Sequence, residues 1–261
     1  MANYKYIINR KYKDNSLLTD FMQNLPTVFE REGILLFKAR NTVKKFILSD
    51  GMEIVVKKYK RPVLFQRFVY SYFRKTKAER AYINAEELMR RGIDTPENIA
   101  WARETEGGLF NIGYFVSDVN DSPAIEDELS SNDNFNKALA EDFAQFVVTL
   151  HTKGIIHKDL NCSNVIYKSM SEGNHEFALI DNNRMKFYPD GKEPSDSECM
   201  ENLTMFTNDL DVMQRVAMYY AVSRGWERDM VAKMMQVKRN HDKNRKRRKR
   251  FLHMFKRQIK K

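Results

Sequence analysis

The chain has 261 residues, of which 42% are hydrophobic and 12% aromatic, a size and composition that suit one large domain or two lobes around a cleft and argue against disorder throughout. Its two cysteines, Cys162 and Cys199, cannot build a disulfide framework, so we expect a reducing compartment. The N-terminal stretch lacks the apolar core of a secretory signal, and no run of about 18 apolar residues predicts a transmembrane helix.

The formal net charge of +10 is concentrated at the C-terminus. Residues 238–261 contain thirteen Lys and Arg and one Asp, a net charge of +12, which leaves −2 for the other 237 residues. Such a segment favours polyanions, for example nucleic acid, acidic lipid headgroups or phosphorylated glycans. Such a basic tail is most often solvated and partly disordered, but the sequence does not decide whether this one is ordered. It would be able to hold the protein at an anionic membrane, with FLHMF at Phe251–Phe255 as an insertion point.

The first part of the chain is predicted to be rich in strands. Residues 33–48 and the β-branched stretch MEIVVKKY flank turn residues at Ser49–Gly51, which predicts a strand, a turn and a second strand. Helical spacing follows, with one apolar stripe made of Leu64, Phe65, Phe68, Val69, Tyr72 and Phe73. We expect this aromatic stripe to pack in the core and the Arg and Lys residues beside it to be solvated. The alternative is a helix at a membrane surface.

The rest of the chain completes two predicted lobes. A helix is expected from about Lys77 to Arg91, with Gly92 just beyond its end, and short strands near residues 98–104 and 109–117. After an acidic loop, a long helix from about Phe135 to Lys153 is stopped by Gly154. The order predicts an α+β, bilobal fold. An antiparallel sheet with a helix occupies residues 1–118, a mostly helical lobe occupies 119–237, and the basic tail occupies 238–261.

The stretch HKDLNCSN, residues 157–164, has the residue types that phosphoryl transfer needs. Asp159 is placed to act as the base toward an acceptor hydroxyl, and Asn164 to bind Mg²⁺. The apolar strand FALID then ends in Asp181, a second oxygen ligand for the metal. We interpret His157 as a brace for the loop. We interpret Cys162 as a passive small residue, because a nucleophilic thiol needs an activating base.

The stretch EIVVKKY offers a lysine for the phosphates of a nucleotide. On a strand, Val55 and Lys57 share one face, and Lys58 lies on the other. We favour Lys57, with Val55 packing under the adenine, and keep Lys58 as the alternative. The helix glutamate that would pair with this lysine is Glu79; Glu86, two helical turns away, remains the alternative.

These motifs, H-x-D-x-x-x-x-N, an apolar strand ending in Asp and a V-V-K strand upstream, resemble the protein-kinase-like fold. Four phrases, VVKKYKRPVLFQRFVYSYFRKTKAERAY, GIDTPENIAW, HTKGIIHKDLNCSNVIY and LIDNNRMKF, are similar to the bacterial lipopolysaccharide kinases, which phosphorylate Kdo or core heptose. The similarity covers roughly residues 33–190. It implies a phosphotransferase that uses ATP and Mg²⁺, a glycolipid acceptor of lipid A with Kdo or core sugars, and a cytoplasmic location peripheral to the inner membrane.

The sequence also departs from the pattern of regulated protein kinases. There is no G-x-G-x-x-G; the equivalent turn, FKARNTVKK, offers charged and polar groups instead, among which we expect Arg40 and Asn41 to contact the nucleotide and Lys38 and Lys44 to assist. Lys158 replaces the arginine of kinases that are switched by loop phosphorylation, DNN replaces D-F-G, and no A-P-E follows. These differences favour a small-molecule or glycolipid acceptor.

Two alternative functions remain at this stage. The helix AERAYINAEELMRRGIDTPE is similar to the atypical RIO kinases, which would imply a protein or another small molecule as acceptor. The basic tail would also suit a kinase-like body that is inactive and binds nucleic acid. The presence of Asp159, Asn164 and Asp181 together argues against an inactive body. The sequence gives no indication of the oligomeric state.

Overall fold

The computed structural model describes residues 3–131, 133, 135–170 and 173–258; the side chains of residues 249 and 252–258 are outside the description. The chain divides into two compact units. The first contains Met1–Asp121 and Ala178–Arg184, and the second contains Ser122–Phe177 and Met185–Lys261. The division predicted from the sequence placed its boundary after residue 118 and assigned Ala178–Arg184 to the C-terminal lobe.

Hydrogen bonds explain why Ala178–Arg184 belongs to the first unit. The side-chain amide of Asn84 donates to the carbonyl of Asn182 at 2.6 Å, and the guanidinium of Arg80 donates to the carbonyl of Asn183 at 3.1 Å. Both donors lie on one helix of the first unit. The segment is thus attached by its main chain, which a sequence pattern of side chains does not reveal.

A six-stranded antiparallel sheet forms the centre of the first unit. Its strands are β1 (Asn3–Ile8), β2 (Ile34–Lys38), β3 (Thr42–Ile47), β4 (Glu53–Lys58), β5 (Asn98–Glu106) and β6 (Leu109–Asp118). Their spatial order is β1-β5-β6-β4-β3-β2. Residues 33–48 form two strands rather than one, because the chain turns at Ala39–Asn41, where the amide of Ala39 donates to the carbonyl of Asn41 at 3.0 Å.

Helix α1 (Ser16–Arg31) covers one face of this sheet. Asn15 caps its start by accepting a hydrogen bond from the amide of Leu18 at 2.9 Å. Its buried residues follow helical spacing: Leu18, Met22, Leu25 and Phe29. They join Ile54 and Val56 of β4 in the main apolar core of the first unit.

Helix α3 (Lys77–Arg90) packs on the face of the sheet opposite to α1. Thr76 and Glu79 form a capping box at its start, and buried small residues at Ala78, Ala81 and Ala85 allow a close approach. Ala78 joins Tyr59 and Trp101 in a second cluster. The helix ends where predicted, with Gly92 at a φ of 66° just beyond it.

Helix α2 (Leu64–Tyr72) forms where predicted, but its aromatic stripe faces solvent. Five of the six stripe residues are exposed: Leu64, Phe65, Phe68, Tyr72 and Phe73. The inward face is mixed: the ring of Tyr70 packs edge-on against the ring of Phe110 on β6, with their centres 5.6 Å apart, and two polar side chains bind the main chain of Phe110. Arg67 donates to the carbonyl of Phe110 at 2.7 Å, and the hydroxyl of Ser71 accepts from the amide of Phe110 at the same distance. Core packing of the stripe was therefore a wrong expectation, because this helix contacts β6 through Arg67, Tyr70 and Ser71, which lie outside the stripe.

The second unit is mostly helical. It contains α4 (Glu126–Leu129), α5 (Lys137–Thr152), β7 (Ile155–His157), β8 (Val165–Ser169), β9 (His175–Leu179), β10 (Met185–Phe187), α6 (Asp196–Leu203), α7 (Leu210–Ser223) and α8 (Arg228–Gln258). The short strands pair as β7 with β10 and β8 with β9. The buried face of α5 includes Leu139, Phe143 and Val147, at the helical spacing of the predicted long helix. Gly154 follows that helix at a φ of 69°.

The basic tail is helical as far as Gln258, because α8 continues through it. Lys238, the first tail residue, is only 1% exposed, and its ammonium donates to the carbonyls of Thr204 at 3.0 Å and Thr207 at 2.6 Å. Residues 238–258 thus have a regular conformation, a point that the sequence left open. Phe251 is exposed, whereas the other side chains of FLHMF and residues 259–261 lie outside the description. None of the described helices is long and apolar enough to cross a membrane.

Candidate active site

Asp159 and Asn164 lie on one loop of the second unit, between β7 and β8. The side-chain amide of Asn164 donates to the main-chain carbonyl of Asp159 at 2.9 Å, so the loop folds back and holds the two residues together. Both side chains are half-buried. Since the amide nitrogen of Asn164 is used in this hydrogen bond, the amide oxygen is the end left for a cation.

A buried polar layer supports this loop. His157 is fully buried; its Nδ1 accepts from the amide of Asp159 at 3.2 Å, and its carbonyl accepts from the side chain of Asn202 at 2.7 Å. The Asn202 oxygen lies 3.0 Å from Nε2 of His151, and Nδ1 of His151 lies 2.7 Å from the hydroxyl of Tyr220. The contacts of His157 agree with its predicted bracing role.

The hydrogen bonds of Asn202 also decide the tautomer of His151. The amide of Asn202 donates to His157, so its oxygen must accept from a protonated Nε2, and Nδ1 then accepts from Tyr220. Burial lowers the pKa of His151 to about 4, partly offset by the hydrogen bond to Asn202. The imidazole is therefore neutral near neutral pH and acts as a fixed bridge in the layer.

Cys162 lies within the loop but has no feature of a nucleophile. Its thiol is buried and donates to the carbonyl of Phe206 at 3.0 Å. Burial raises the pKa of the thiol to about 12, so the thiolate is absent near neutral pH. These contacts agree with the prediction of a passive small residue.

Lys57 and Asp181, two further predicted site residues, contact each other in the first unit. The ammonium of Lys57 lies 2.7 Å from the carboxylate of Asp181, with both side chains mostly buried. Asp181 has a φ of 57°, the one positive value among the non-glycine residues that the structure describes. Such a conformation costs on the order of 1–3 kcal/mol, and it is concentrated at functional sites. Asn183 donates to the same carboxylate and helps to fix it.

The structure separates the two candidate lysines of β4 by their faces. Val55 and Lys57 alternate with the core residues Ile54 and Val56, and the ammonium of Lys57 lies 5.6 Å from the centre of the Tyr59 ring. Lys58 points to the face that carries α1, where it forms an ion pair with Glu30. The contact with Asp181 therefore favours Lys57 over Lys58 as the phosphate-binding residue.

No glutamate of α3 is paired with Lys57 within the described ranges. Glu79 is the third residue of the helix, and its carboxylate accepts from the amide of Thr76 at 3.4 Å as half of the capping box. Glu86 is exposed. The predicted pairing with Glu79 is not seen in the structure, because the helix start uses this carboxylate and Asp181 takes its place beside the lysine.

The turn between β2 and β3 carries Arg40 and Asn41. Arg40 is exposed, while the side-chain oxygen of Asn41 accepts from the amide of Lys60 at 3.2 Å and ties the turn to the end of β4. Lys44 does not reach toward this turn: its ammonium donates to the carbonyls of Phe29 at 2.6 Å and Glu32 at 2.7 Å, at the end of α1. It satisfies helix carbonyls instead of assisting with phosphates.

Sequence reasoning missed the cation Lys77, whose charge interacts with that of Asp181. Lys77 was expected on a solvated face, yet it is half-buried, and burial together with the nearby charges of Arg40, Arg80 and Arg184 lowers its pKa, against the opposing effect of Asp181. The only signal in the sequence was the position of Lys77 directly after the helix cap. A helix start gains nothing from a cation, so a lysine there points to another role.

The two predicted metal ligands offer oxygen atoms of the kind that magnesium prefers, and magnesium does not need all its ligands to come from the protein. Among the described residues, no group of three or more His, Cys, Asp and Glu side chains could hold a metal ion. The predicted ligands are the amide oxygen of Asn164 in the second unit and the carboxylate of Asp181 in the first. Mg²⁺ prefers such hard oxygen donors and commonly keeps water and phosphate oxygens as its other ligands.

Comparisons with known proteins identify relatives of the chain. A family model described as the lipopolysaccharide kinase (Kdo/WaaP) family matches residues 38–192, which include every predicted site residue. Among solved structures, WaaP in complex with acyl carrier protein is 15% identical, with 92% of this chain and 98% of that chain covered and a TM-score of 0.59. The Rio2 kinase from Chaetomium thermophilum is 14% identical, with 92% and 83% covered and a TM-score of 0.46.

No curated protein sequence matches the chain. The match to the family model confirms the resemblance found in the sequence. The likeness to WaaP, together with the antiparallel sheet and the helical C-terminal part, confirms the predicted kinase-like fold class.

Proposed function

Because the chain belongs to the lipopolysaccharide kinase (Kdo/WaaP) family, we propose that it transfers the γ-phosphate of ATP to a sugar hydroxyl of lipopolysaccharide, on Kdo or core heptose attached to lipid A. The observation that carries this proposal is the ion pair of Lys57 and Asp181 at 2.7 Å. It joins the predicted phosphate-binding cation to the predicted metal-binding carboxylate, and both lie inside the matched range.

Each residue has a defined part in the proposed reaction. Asp159 accepts the proton of the acceptor hydroxyl, on a loop whose main chain is fixed by His157 and Asn202. The ammonium of Lys57 binds the phosphates, with Val55 beside it on the same face of β4 to pack against the base. The Asn164 amide oxygen and the Asp181 carboxylate would hold Mg²⁺, which when bound neutralises charge on the phosphates.

The Asp159→Asn variant tests this function with radiolabelled ATP, Mg²⁺ and lipid A that carries Kdo. Asparagine keeps the size of the side chain and the main-chain hydrogen bond to Asn164, but it cannot accept the proton. We expect phosphate transfer to fall by about 100-fold or more. The control is Asp14→Asn, an exposed aspartate in the first unit, which should transfer phosphate like the wild type. Equal transfer by Asp159→Asn and wild type would sink the proposal.

The same assay separates the acceptors. Parallel reactions contain lipid A with Kdo, lipopolysaccharide with core heptose, or a general protein substrate. We expect label in one of the two glycolipids and none in the protein. Label in the protein alone would favour the alternative of a kinase with a protein acceptor.

We place the reaction at the cytoplasmic face of the inner membrane, with α8 as an attachment element. Lys243, Arg245–Arg248 and Arg250 are exposed along this helix. Each cation close to an anionic leaflet adds roughly 1 kcal/mol of binding free energy. Replacing Arg245, Arg247 and Arg248 by Gln should shift the protein from the membrane fraction to the soluble fraction, and an unchanged distribution would contradict this attachment.

A further inference from the structure

A cavity of about 220 Å³ lies in the first unit and shares Arg40, a predicted nucleotide contact, with the proposed reaction site. Neither Lys57 nor Asp181 is among the residues that line it. No lining residue is acidic, and four are cationic: Arg40, Lys60, Arg61 and Lys77. One of them, Arg61, is neutralised by an ion pair with Glu106. The cavity therefore retains an excess of positive charge, which favours an anionic occupant.

Lys77 is the cation of this cavity that most needs a partner. Its side chain is half-buried, and its ammonium forms no hydrogen bond or ion pair with any residue in the described part of the chain. Burial and the charges of Arg40, Arg80 and Arg184 all disfavour its charged form. The carboxylate of Asp181 offsets this effect only in part, and an anion in the cavity would favour the charged form further.

Tyr59 gives a second, independent indication of a ligand. The residue lines the cavity and is only 3% exposed, yet its hydroxyl has no hydrogen-bond partner among the described residues. A buried hydroxyl without a partner costs on the order of 1–3 kcal/mol. Burial raises the pKa of Tyr59 well above its usual value, so the group remains an O–H donor that suits a ligand oxygen.

Gly113 permits close packing in the wall of the cavity. A Cβ atom at this position would lie 3.2 Å from the Cβ of Ala78 and 3.4 Å from the ring of Phe110, and all three residues line the cavity. The contact with Ala78 would be closer than most Cβ contacts, whereas the contact with Phe110 would be ordinary. The absence of a side chain thus allows Ala78 to approach closely.

The exposed face of α2 begins at the rim of the cavity. Val63 lines the cavity and is 68% exposed, and the apolar face continues from it through Phe65, at 76%, to Phe73, at 75%. Arg74 and Lys75 are exposed at the far end. An apolar face with basic residues at its ends is typical of helices that lie in the interface of an anionic bilayer.

We propose that the cavity and the exposed face of α2 form one binding site for an anionic phospholipid in a membrane surface. The phosphate of the headgroup enters the cavity, where Lys77 and the hydroxyl of Tyr59 bind its oxygens. The acyl chains lie along Leu64, Phe65 and Phe68. The site is separate from the attachment through α8 and does not depend on which acceptor the enzyme uses.

Vesicle sedimentation with the full-length chain tests this site. The vesicles contain phosphatidylcholine alone or mixed with phosphatidylglycerol. Binding is measured at about 0.15 M and about 0.5 M salt, and the higher concentration largely screens the attraction between exposed charges. We expect the double variant Phe65→Ser/Phe73→Ser to bind mixed vesicles about tenfold or more weakly at both salt concentrations, since two large apolar groups no longer leave water. Val222→Ser on α7, a residue that is 78% exposed, is the matched control and should bind like the wild type.

Two further variants examine the cavity. Lys77→Met should weaken binding to the mixed vesicles about fivefold and leave binding to phosphatidylcholine alone unchanged, because one cation near an anionic leaflet is lost. Tyr59→Phe removes only the hydroxyl, so the fold is retained, and it should reduce the preference for mixed vesicles in the same direction. Lys192→Met, an exposed lysine of the second unit, is the matched control.

Three results would overturn the proposal. They are wild-type binding by the Phe65/Phe73 double variant, an equal effect of Lys77→Met on both vesicle types, and thermal stabilisation by inorganic phosphate that Lys77→Met abolishes while its vesicle binding stays normal. The last result would mean that the cavity takes a free anion. None of these measurements uses ATP or an acceptor, so failure of the lipid site and failure of the proposed kinase activity are distinguishable.

Discussion

Helix α2 in the first unit and the polar layer beneath the loop of residues 157–164 in the second unit distribute their side chains in opposite ways. Helix α2 exposes Phe65 and uses Arg67 on its inner side. The layer beneath the loop buries His151, Asn202 and His157 almost completely, with hydrogen bonds throughout. Buried polar groups with partners fix a geometry from within. Exposed apolar groups favour binding to a partner outside the chain, because such binding removes their surface from water.

The largest expected effect comes from breaking the buried layer with Asn202→Leu. Leucine has the same branched shape, although it is larger, and it cannot donate to the carbonyl of His157 or accept from His151. Each group left without a partner costs on the order of 1–3 kcal/mol, so the free energy of unfolding should fall by about 3–5 kcal/mol. Urea unfolding measures the change. The control Asn240→Leu, on the exposed face of α8, should alter the free energy of unfolding by less than about 0.5 kcal/mol. Equal losses in both variants would contradict a stabilising layer.

Lowering the pH should weaken the same layer. The pKa of His151 is about 4 in the folded protein, chiefly because of burial, with Arg224 lowering and Glu193 raising it, while an unfolded chain has a pKa of about 6.5. Above pH 6.5 both states carry a neutral imidazole and His151 gives no pH dependence. Below it the unfolded state takes up the proton first, so stability falls as the pH drops toward 4, by about 3 kcal/mol in total.

The pH dependence of His151→Gln isolates this contribution. Glutamine does not titrate, so the curve of its free energy of unfolding between pH 7 and pH 4 should be flatter than that of the wild type by about 3 kcal/mol at the acid end. Carboxylates elsewhere affect both proteins alike. Parallel curves for the two proteins would show that His151 is not held neutral by burial.

The contrast between α1 and α2 shows how far the sequence alone could lead. Both helices carry apolar residues at helical spacing, although only α2 was predicted from the sequence. The pattern does not say whether the apolar side is covered. The apolar side of α2 is exposed because Arg67 and Ser71, on its other side, form hydrogen bonds with Phe110 of β6. Long-range main-chain contacts of this kind have no local signature.

The candidate site divides in the same way. Asp159, Asn164, Lys57 and Asp181 could be proposed from the sequence because phosphoryl transfer requires these residue types in this order along the chain. The partner of Lys57 could not, because the carboxylate of Glu79 is also the natural third residue of a capping box after Thr76. In the structure, Glu79 caps its own helix and does not pair with Lys57.

Removing the polar anchor of α2 should have a smaller effect. Arg67 donates to the carbonyls of Phe110 at 2.7 Å and Glu106 at 3.2 Å, and only 12% of its side chain is exposed. Arg67→Met keeps much of the chain length and loses both bonds, which should lower the free energy of unfolding by about 1–3 kcal/mol. Hydrogen exchange should report faster opening of α2 than of α3. Unchanged exchange in α2 would mean that another contact attaches this helix.

The smallest expected effect on stability comes from the exposed aromatic side of α2. Phe65 is 76% exposed, so little apolar surface returns to water in Phe65→Ser, and the free energy of unfolding should change by less than about 0.5 kcal/mol. The matched substitution on α1, Phe29→Ser, removes a ring that is 2% exposed and should cost about 3–5 kcal/mol. The two changes are chemically identical, so their difference in urea unfolding measures the burial of each face. If Phe65→Ser lost as much stability as Phe29→Ser, the α2 side chain would be covered in solution by the protein itself, and the surface offered to a bilayer would not exist.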